Sequence, residues 1–156
     1  MVRAAVFNSL EARGLVEGAR MVDLFAGSGA LGIEAVSRGA AHVVLVERDR
    51  RAVAAIRENL TALGVAGAAT LAAVDAAAWV AQGPEVHGRL DVALVDPPYR
   101  FDGWPGLLDG LAAWGAVTVV AESDGPLEAP GWDVLGVKRY GGTVVSQLRP
   151  RGAQHL

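Results

Sequence analysis

The sequence has 156 residues with 52% apolar and 20% charged content, a formal net charge of −3 and no cysteine. Such a chain is long enough for one domain with a hydrophobic core, and its composition excludes intrinsic disorder, a nucleic-acid-binding polycation, disulfides and thiolate metal sites. No apolar run reaches the roughly 18 residues of a membrane span, and Glu11 and Arg13 interrupt any signal-peptide core, so we predict a soluble, cytoplasmic protein without a membrane partner.

In chain order, stretches with helical periodicity alternate with short apolar runs, and no repeat, linker or domain break interrupts them. The predicted helices cover residues 3–13, 28–38, 49–63 and 105–114, with a further helix beginning near Ala76. The predicted strands cover residues 21–26, 42–47, 69–75, 90–96 and 116–121. We therefore expect residues 1–156 to form a single domain.

Two of the helices have a clear apolar face. The first places Val6, Phe7 and Leu10 on one side. In the helix over residues 49–63, Asp49 occupies the N-cap position and Gly64 follows the last turn. Its apolar residues at helical spacing are Val53, Ile56, Leu60 and Leu63.

The last part of the chain has a different pattern. Residues 132–140 and 143–149 are typical of two strands joined by Gly141-Gly142, a pair that supplies the positive φ values of a tight hairpin turn. The five preceding strands alternate with helices, which implies a parallel, doubly wound sheet with right-handed crossovers. The predicted fold class is α/β, with a mostly parallel sheet of about seven strands and a C-terminal antiparallel hairpin.

One edge of this sheet is the predicted binding site, because ligands of doubly wound sheets bind beyond the carboxyl ends of the strands. Glu47, Asp75 and Asp96 each fall at the C-terminal end of a predicted strand. A glycine loop, Gly27-Ser28-Gly29-Ala30-Leu31-Gly32, follows the first strand. This spacing fits a dinucleotide site, since Glu47 lies 20 residues after Gly27, where an acid would bind the ribose. A tight turn without any ligand is the alternative.

S-adenosylmethionine is a second ligand that needs a glycine loop and a ribose acid. It carries an ammonium and a sulfonium in place of the pyrophosphate, and Asp23, inside the first strand, suits a cation and would repel phosphate. Asp23 could instead accept hydrogen bonds from nearby backbone amides. Asp75 could accept from the adenine amino group, or cap the helix that begins near Ala76, and both roles are compatible.

The segment Asp96-Pro97-Pro98-Tyr99 ends the fourth strand with a corner that presents acceptors only. Each proline pushes the preceding residue out of the helical region and offers no N–H. The Asp96 carboxylate and the fixed carbonyls could hold both hydrogens of a planar amino group, and Tyr99 could stack on its ring. Such a corner positions an amino group for methylation. The alternative is a simple exit from the strand with a tyrosine in the core.

These residues resemble one known family. The segments "VDLFAGSGALGIEAVSRGA", "VLVERD", "VDPPY" and "KRYGGT", with "VRAAVFNSL" ahead of them, look like the RsmD-type ribosomal RNA methyltransferases. The similarity extends over nearly all 156 residues. It implies a Rossmann-like class I methyltransferase from a bacterium, which uses S-adenosylmethionine to methylate the N2 amino group of a guanine in 16S rRNA. The implied partner is 16S rRNA or a small-subunit assembly particle, and we expect a monomer.

The resemblance also implies roles for individual residues. The cofactor-binding residues would be Asp23, Phe25, Ala26, Gly27, Ser28, Gly29, Glu47, Arg48, Asp75 and Ala76. The catalytic corner would be Asp96, Pro97, Pro98 and Tyr99. His42, His87 and His155 have no metal-ligand spacing, and no metal is expected. The four tryptophans are expected in the core or at its rim.

The sequence departs from the family in one respect. The family usually has a basic, glycine-containing segment before the helix that begins near Val2, and this sequence begins at the helix. We expect either a truncated or misassigned start or a different way of holding RNA. Basic residues do cluster elsewhere, either as an RNA-orienting surface or as ordinary solvated faces: Arg48, Arg50, Arg51 and Arg57, and later Lys138, Arg139, Arg149 and Arg151.

Two other functions agree with the same residues. An adenine N6 methyltransferase acting on DNA or RNA could use the same corner, since it suits any purine amino group. The alternative from outside the enzymes is a nucleotide-binding module that catalyses no reaction.

Overall fold

The computed structural model describes residues 2–152, which form one sheet with helices on both faces. The helices are α1 (Val2–Ala12), α2 (Ala30–Ser37), α3 (Arg50–Ala62), α4 (Ala76–His87) and α5 (Trp104–Leu111). The strands are β1 (Arg20–Leu24), β2 (His42–Val46), β3 (Ala69–Ala72), β4 (Val92–Val95), β5 (Thr118–Ser123), β6 (Trp132–Tyr140) and β7 (Thr143–Pro150).

The strands of the described residues lie in the order β3-β2-β1-β4-β5-β7-β6. The first five strands along the chain pair in parallel, and β7 pairs antiparallel with β5 and β6. This is the predicted doubly wound sheet with its C-terminal hairpin, so the fold prediction is confirmed. The order reverses between β1 and β4, which places a crevice beyond their carboxyl ends.

Each face of the sheet has its own apolar core. On one face Val6, Phe7 and Leu10 of α1 pack with residues from α2, α3 and the central strands. On the other face the core includes Trp79 of α4 and Trp104 of α5, with Trp132 at the start of β6. The prediction for these three tryptophans is therefore confirmed, and Trp114 packs at the rim of the same core.

Several predicted boundaries shift for local reasons. Helix α2 begins at Ala30 instead of residue 28, because Gly29 has a left-handed φ of 86°. Strand β3 ends at Ala72, three residues early, and the chain up to Asp75 leaves the ladder to form part of the site wall. Leu63 was expected on the buried face of α3, but it is the C-cap residue after Ala62 and is 59% exposed.

The hairpin turn also differs from its prediction in one detail. Gly141 has a φ of 61°, whereas Gly142 is not in the positive-φ region. One left-handed glycine at the first central position is what a type II′ turn requires. Among residues 2–152, no helix combines the length and apolar character needed to cross a lipid bilayer.

Candidate active site

Two neighbouring clefts open beyond the carboxyl ends of the parallel strands. The first has a volume of about 570 Å³, within the range of small-molecule sites. Most of the predicted cofactor residues line it: Phe25, Ala26, Gly27, Ser28, Glu47, Arg48, Asp75 and Ala76. Asp96, Pro97 and Pro98 complete its wall, whereas Asp23 and Gly29 do not line it.

The loop that follows β1 contains residues with left-handed backbone conformations. Phe25 has a φ of 60°, which is unusual for an aromatic residue, and Gly27 has a φ of 58°. A Cβ on Gly27 would meet no atom within 4 Å, so this glycine is needed for its φ and leaves room for a ligand. The Asn59 side-chain amide donates to the Ser28 carbonyl at 3.1 Å and holds the loop against α3.

The third glycine of the motif has a packing role. A Cβ on Gly32 would lie 2.9 Å from Leu45 Cδ2 and 3.2 Å from Val43 Cγ1. Both neighbours are fully buried on β2. Gly32 therefore lets α2 approach the sheet without displacing these two buried side chains.

Glu47 is tied to the loop through both carboxylate oxygens. Oε1 accepts from the Gly27 N–H at 2.9 Å, and Oε2 accepts from the Asp49 N–H at 2.9 Å. A carboxylate has about four lone-pair sites, so two stay available on the side of the cleft. The backbone bonds fix the carboxylate in place and leave acceptors for a pair of hydroxyl groups.

The far end of the first cleft combines a polar group with an apolar wall. Asp75 Oδ2 caps α4 by accepting from the Ala78 N–H at 3.2 Å, and its Oδ1 lies 3.4 Å from Arg48 Nη1. The helix-cap role of Asp75 is thus confirmed, and its role toward adenine stays a prediction. Val74 is 43% exposed in the same wall and provides an apolar surface for a flat ring. The sequence analysis did not identify Val74, because nothing in the sequence distinguishes it from other apolar residues in short loops.

Asp23 lies beneath the loop, where it is 1% exposed. Its Oδ2 accepts from the Gly32 N–H at 3.0 Å, so it caps the first turn of α2, whose own N-cap residue Gly29 has no side chain. Burial raises the pKa of Asp23 to about 7, and the charges of Asp96 and Glu47 add to this rise against the opposing Gly32 bond. Asp23 therefore holds the first turn of α2 in place, without lining the cleft.

The second cleft, of about 440 Å³, shares Asp96, Pro97 and Pro98 with the first. Tyr99 lines it and is 77% exposed, which excludes the alternative of a core tyrosine. Other elements bring further residues to this wall: Phe101, Trp104, Glu122, Ser123, Asp124, Gly142 and Thr143. Its charged residues are all acids, so it suits the donor edge of a neutral group and not a phosphate.

Glu122 is a site residue that the sequence analysis missed. It lies near the C-terminal end of β5 and is only half-buried, beside Asp96. The same rule that selected Glu47, Asp75 and Asp96 could have found it, because it is also an acid at a strand end. The predicted strand ended at residue 121, one position too early for Glu122 to be considered.

The first cleft fits S-adenosylmethionine better than a dinucleotide. Its charged lining comprises Glu47, Asp49, Asp75 and Asp96 against Arg48, and Arg48 is paired with Asp75. A pyrophosphate would meet net negative charge here, whereas a sulfonium and an ammonium would be attracted. At the N-terminus of α2, Asp23 accepts from the Gly32 N–H, while Ala30 and Leu31 lie in the wall of the cleft and can offer backbone N–H groups to a carboxylate.

Comparison with known proteins identifies a family. The family described as "Conserved hypothetical protein 95" matches residues 1–148. YlbH of Bacillus subtilis, named as a candidate rRNA methyltransferase, is 31% identical over 97% of this chain and 85% of its own length. The protein named "Ribosomal RNA small subunit methyltransferase D" in Escherichia coli K12 is 40% identical over 64% of this chain, a match that spans 47% of that relative.

Solved structures agree with this result. The candidate methyltransferase yhhF from Escherichia coli superposes with a TM-score of 0.83 at 30% identity, covering 98% of this chain and 86% of its own. The Synechocystis magnesium protoporphyrin IX methyltransferase, whose structure holds bound S-adenosylmethionine, has a TM-score of 0.71 over 96% of this chain and 78% of its own. At 14% identity it supports the fold alone.

The match over residues 1–148 confirms the resemblance seen in the sequence. The methyltransferase relatives, together with the fold shared with the structural neighbour that holds bound S-adenosylmethionine, support the prediction of this cofactor. The chain belongs to the RsmD-type family of methyltransferases.

Proposed function

We propose that this protein transfers a methyl group from S-adenosylmethionine to the N2 amino group of a guanine in small-subunit ribosomal RNA. One observation carries the proposal: Asp96, Pro97 and Pro98 belong to the walls of both clefts. A cofactor in the first cleft and a base in the second would meet at this corner. The relatives' names supply the substrate class, since one names the small ribosomal subunit and another names rRNA.

The first cleft would hold the cofactor with groups that are already fixed. Glu47 would accept the ribose hydroxyls, while the backbone around Gly27 allows close approach. Val74 would cover one face of the adenine and Asp75 would accept from its amino group. Bound S-adenosylmethionine supplies a methyl group activated by a positive sulfonium, so the protein needs to supply orientation more than a strong base.

At the corner, the Asp96 carboxylate and the adjacent carbonyls would accept the two hydrogens of the guanine amino group. This fixes the nitrogen lone pair toward the methyl carbon. The N–C bond would form as the C–S bond breaks with its electron pair on sulfur, and one N–H proton would then leave to Asp96 or water. Because the acceptors strengthen as positive charge develops on nitrogen, they act mainly in the transition state.

The second cleft supplies the surroundings of a splayed-out base. Tyr99 offers an exposed ring for stacking. The hairpin that contributes Gly142 and Thr143 to this cleft also exposes Lys138 and Arg139. These two cations and Arg100, next to Tyr99, would contact RNA phosphates. The acidic cleft itself would repel phosphates.

The test compares ribosomal RNA from cells with and without the gene. N2-methylguanine should be lost at one position in the small-subunit RNA of the deletion strain. The purified protein should restore it in RNA or particles from that strain, whereas the Asp96→Ala variant should not. Nucleoside mass spectrometry identifies the product. Formation of N6-methyladenine instead would favour the adenine alternative. If neither the RNA nor the particles were methylated, a binding module would be favoured.

A further inference from the structure

Glu122 is a carboxylate that the reaction above does not use. Strands β4 and β5 pair Val95 with Ala121, so Asp96, just beyond β4, and Glu122, in β5, are the next residues along this parallel pair. Both line the second cleft. The corner that holds the amino group therefore has a second acid within reach of the same base.

The surroundings of Glu122 do not neutralise its charge. Strand β7 places Val145 opposite it, and Val6 of α1 and Leu31 of α2 line a small gap on one side of the acid pair. The charged groups that face Glu122 are Asp96 and Asp23, both acids. Within the described part of the chain, no ion pair reaches Glu122.

Such an arrangement favours a proton shared between the carboxyl groups of Asp96 and Glu122. Burial, followed by the charge of Asp96 and a hydrogen bond with it, raises the pKa of Glu122 to about 7. Two adjacent carboxylates are stabilised by a shared proton, or by a ligand that supplies donors to both. The second cleft is where such a ligand can enter.

We propose that Glu122 accepts the N1–H of the target guanine while Asp96 accepts an N2–H, so that Glu122 determines the preference for guanine over adenine. This inference rests on the proposed function, because it adds a contact to the same base. Guanine presents N1–H and N2–H donors side by side on one edge. Adenine presents an acceptor at N1, which an ionised Glu122 would repel.

The pair also links guanine binding to pH. Below about pH 7 the carboxylates hold a proton that the guanine donors must displace. The value of kcat/KM should therefore fall toward acid, by up to about tenfold per pH unit. Glu122→Gln cannot ionise and should flatten this part of the profile.

The experiment measures single-turnover methylation of undermethylated small-subunit particles by the wild type, Glu122→Gln, Glu122→Asp and Glu128→Gln. Glu128 is an exposed acid after β5 that lines neither cleft, so Glu128→Gln is the matched control. We expect Glu122→Gln to lower kcat/KM about tenfold or more at pH 8, as for loss of a charge-assisted hydrogen bond. Glu122→Asp should retain part of the rate. Calorimetry should show unchanged S-adenosylmethionine affinity in all four proteins.

Competition by nucleosides tests the contact itself. 2-Aminopurine riboside keeps the 2-amino group of guanosine but has an acceptor at N1. Guanosine should inhibit the wild type more strongly than 2-aminopurine riboside does. Glu122→Gln can donate from its amide, so this preference should shrink or reverse.

Each outcome separates the inference from the proposed function. If Glu122→Gln slows the reaction but keeps the preference of the wild type for guanosine, Glu122 only positions Asp96 and the inference is overturned. The same follows if Glu122→Gln methylates at the wild-type rate. If the wild type itself produces no N2-methylguanine, the proposed function is wrong, whatever the variants do.

Discussion

The Gly27 N–H donates to Glu47 Oε1 across 2.9 Å, although the two residues are 20 positions apart. This bond joins the glycine loop after β1 to the acid after β2. The loop and the carboxylate are therefore one preorganised unit, and a change in either should alter the other.

Glu47→Ala should weaken S-adenosylmethionine binding by about 1.5–3 kcal/mol, because it removes charge-assisted acceptors for the ribose and releases the Gly27 and Asp49 amides. Calorimetry measures this loss directly. Glu58→Gln, a change at an exposed acid on α3, is the control and should bind normally. Unchanged affinity in a folded Glu47→Ala protein would remove the ribose assignment.

Gly32→Ala should lower the free energy of unfolding by about 1–3 kcal/mol, because the new methyl group would overlap Leu45 and Val43 in a fully packed region. Gly106 is a matched control, since it lies in α5 with nothing within 4 Å of an added Cβ. Gly106→Ala should stabilise the protein by about 0.4–1 kcal/mol. Urea denaturation followed by circular dichroism measures both. Equal effects of the two changes would contradict the packing role of Gly32.

The fold could be predicted because its signals are local and repeat along the chain. Apolar runs alternated with helical periodicity, and Asp49 marked a helix start that the structure confirms through its bond to the Ala52 N–H. The site edge followed from one topological rule. Glu122 was not predicted as a site residue because the end of β5 depends on its pairing with β7. Val145, which pairs with Glu122, lies far away along the sequence. For Asp23 the sequence left open a ligand contact or a bond to a nearby amide, because a sequence does not show which amide meets a buried carboxylate; the structure shows the bond to the Gly32 N–H.

The buried acid Asp23 should make stability depend on pH. Its pKa is about 7 in the folded protein against an ordinary value of 3.8. Between these values the folded state keeps a proton that the unfolded chain releases, so the free energy of unfolding falls as pH rises through this window. Asp23→Asn cannot ionise and should escape this loss.

Urea titrations at pH 5, 6, 7 and 8 test the Asp23 prediction. Relative to the wild type, Asp23→Asn should gain about 1–3 kcal/mol between pH 5 and pH 8, at about 1.4 kcal/mol per pKa unit. The Asn side-chain oxygen can still accept from the Gly32 N–H. A stability difference that stays constant with pH would show that Asp23 is not protonated in the folded protein below pH 7.

Asp96→Ala should lower the methyl-transfer rate by about tenfold or more and leave cofactor affinity nearly unchanged. The reason is that Asp96 belongs to the wall of both clefts but follows β4, whereas the proposed ribose acid Glu47 follows β2. An acceptor that acts in the transition state lowers kcat and kcat/KM together. Single-turnover methylation with saturating cofactor measures the rate, and Asp102→Ala, at an exposed acid outside both clefts, is the control. A wild-type rate for Asp96→Ala would end the amino-group assignment of this corner.

Tyr99 should act through its ring and not its hydroxyl. The side chain is 77% exposed in the second cleft, with the Arg100 guanidinium 5.6 Å from the ring centroid. Tyr99→Ala removes the stacking face and should weaken substrate binding by about 1–3 kcal/mol, as a higher KM and a slower transfer. Tyr99→Phe keeps the face and should retain most activity in the same single-turnover assay. If Tyr99→Phe were as inactive as Tyr99→Ala, the hydroxyl would be the functional group, and the second cleft would hold the base by a polar contact at that position.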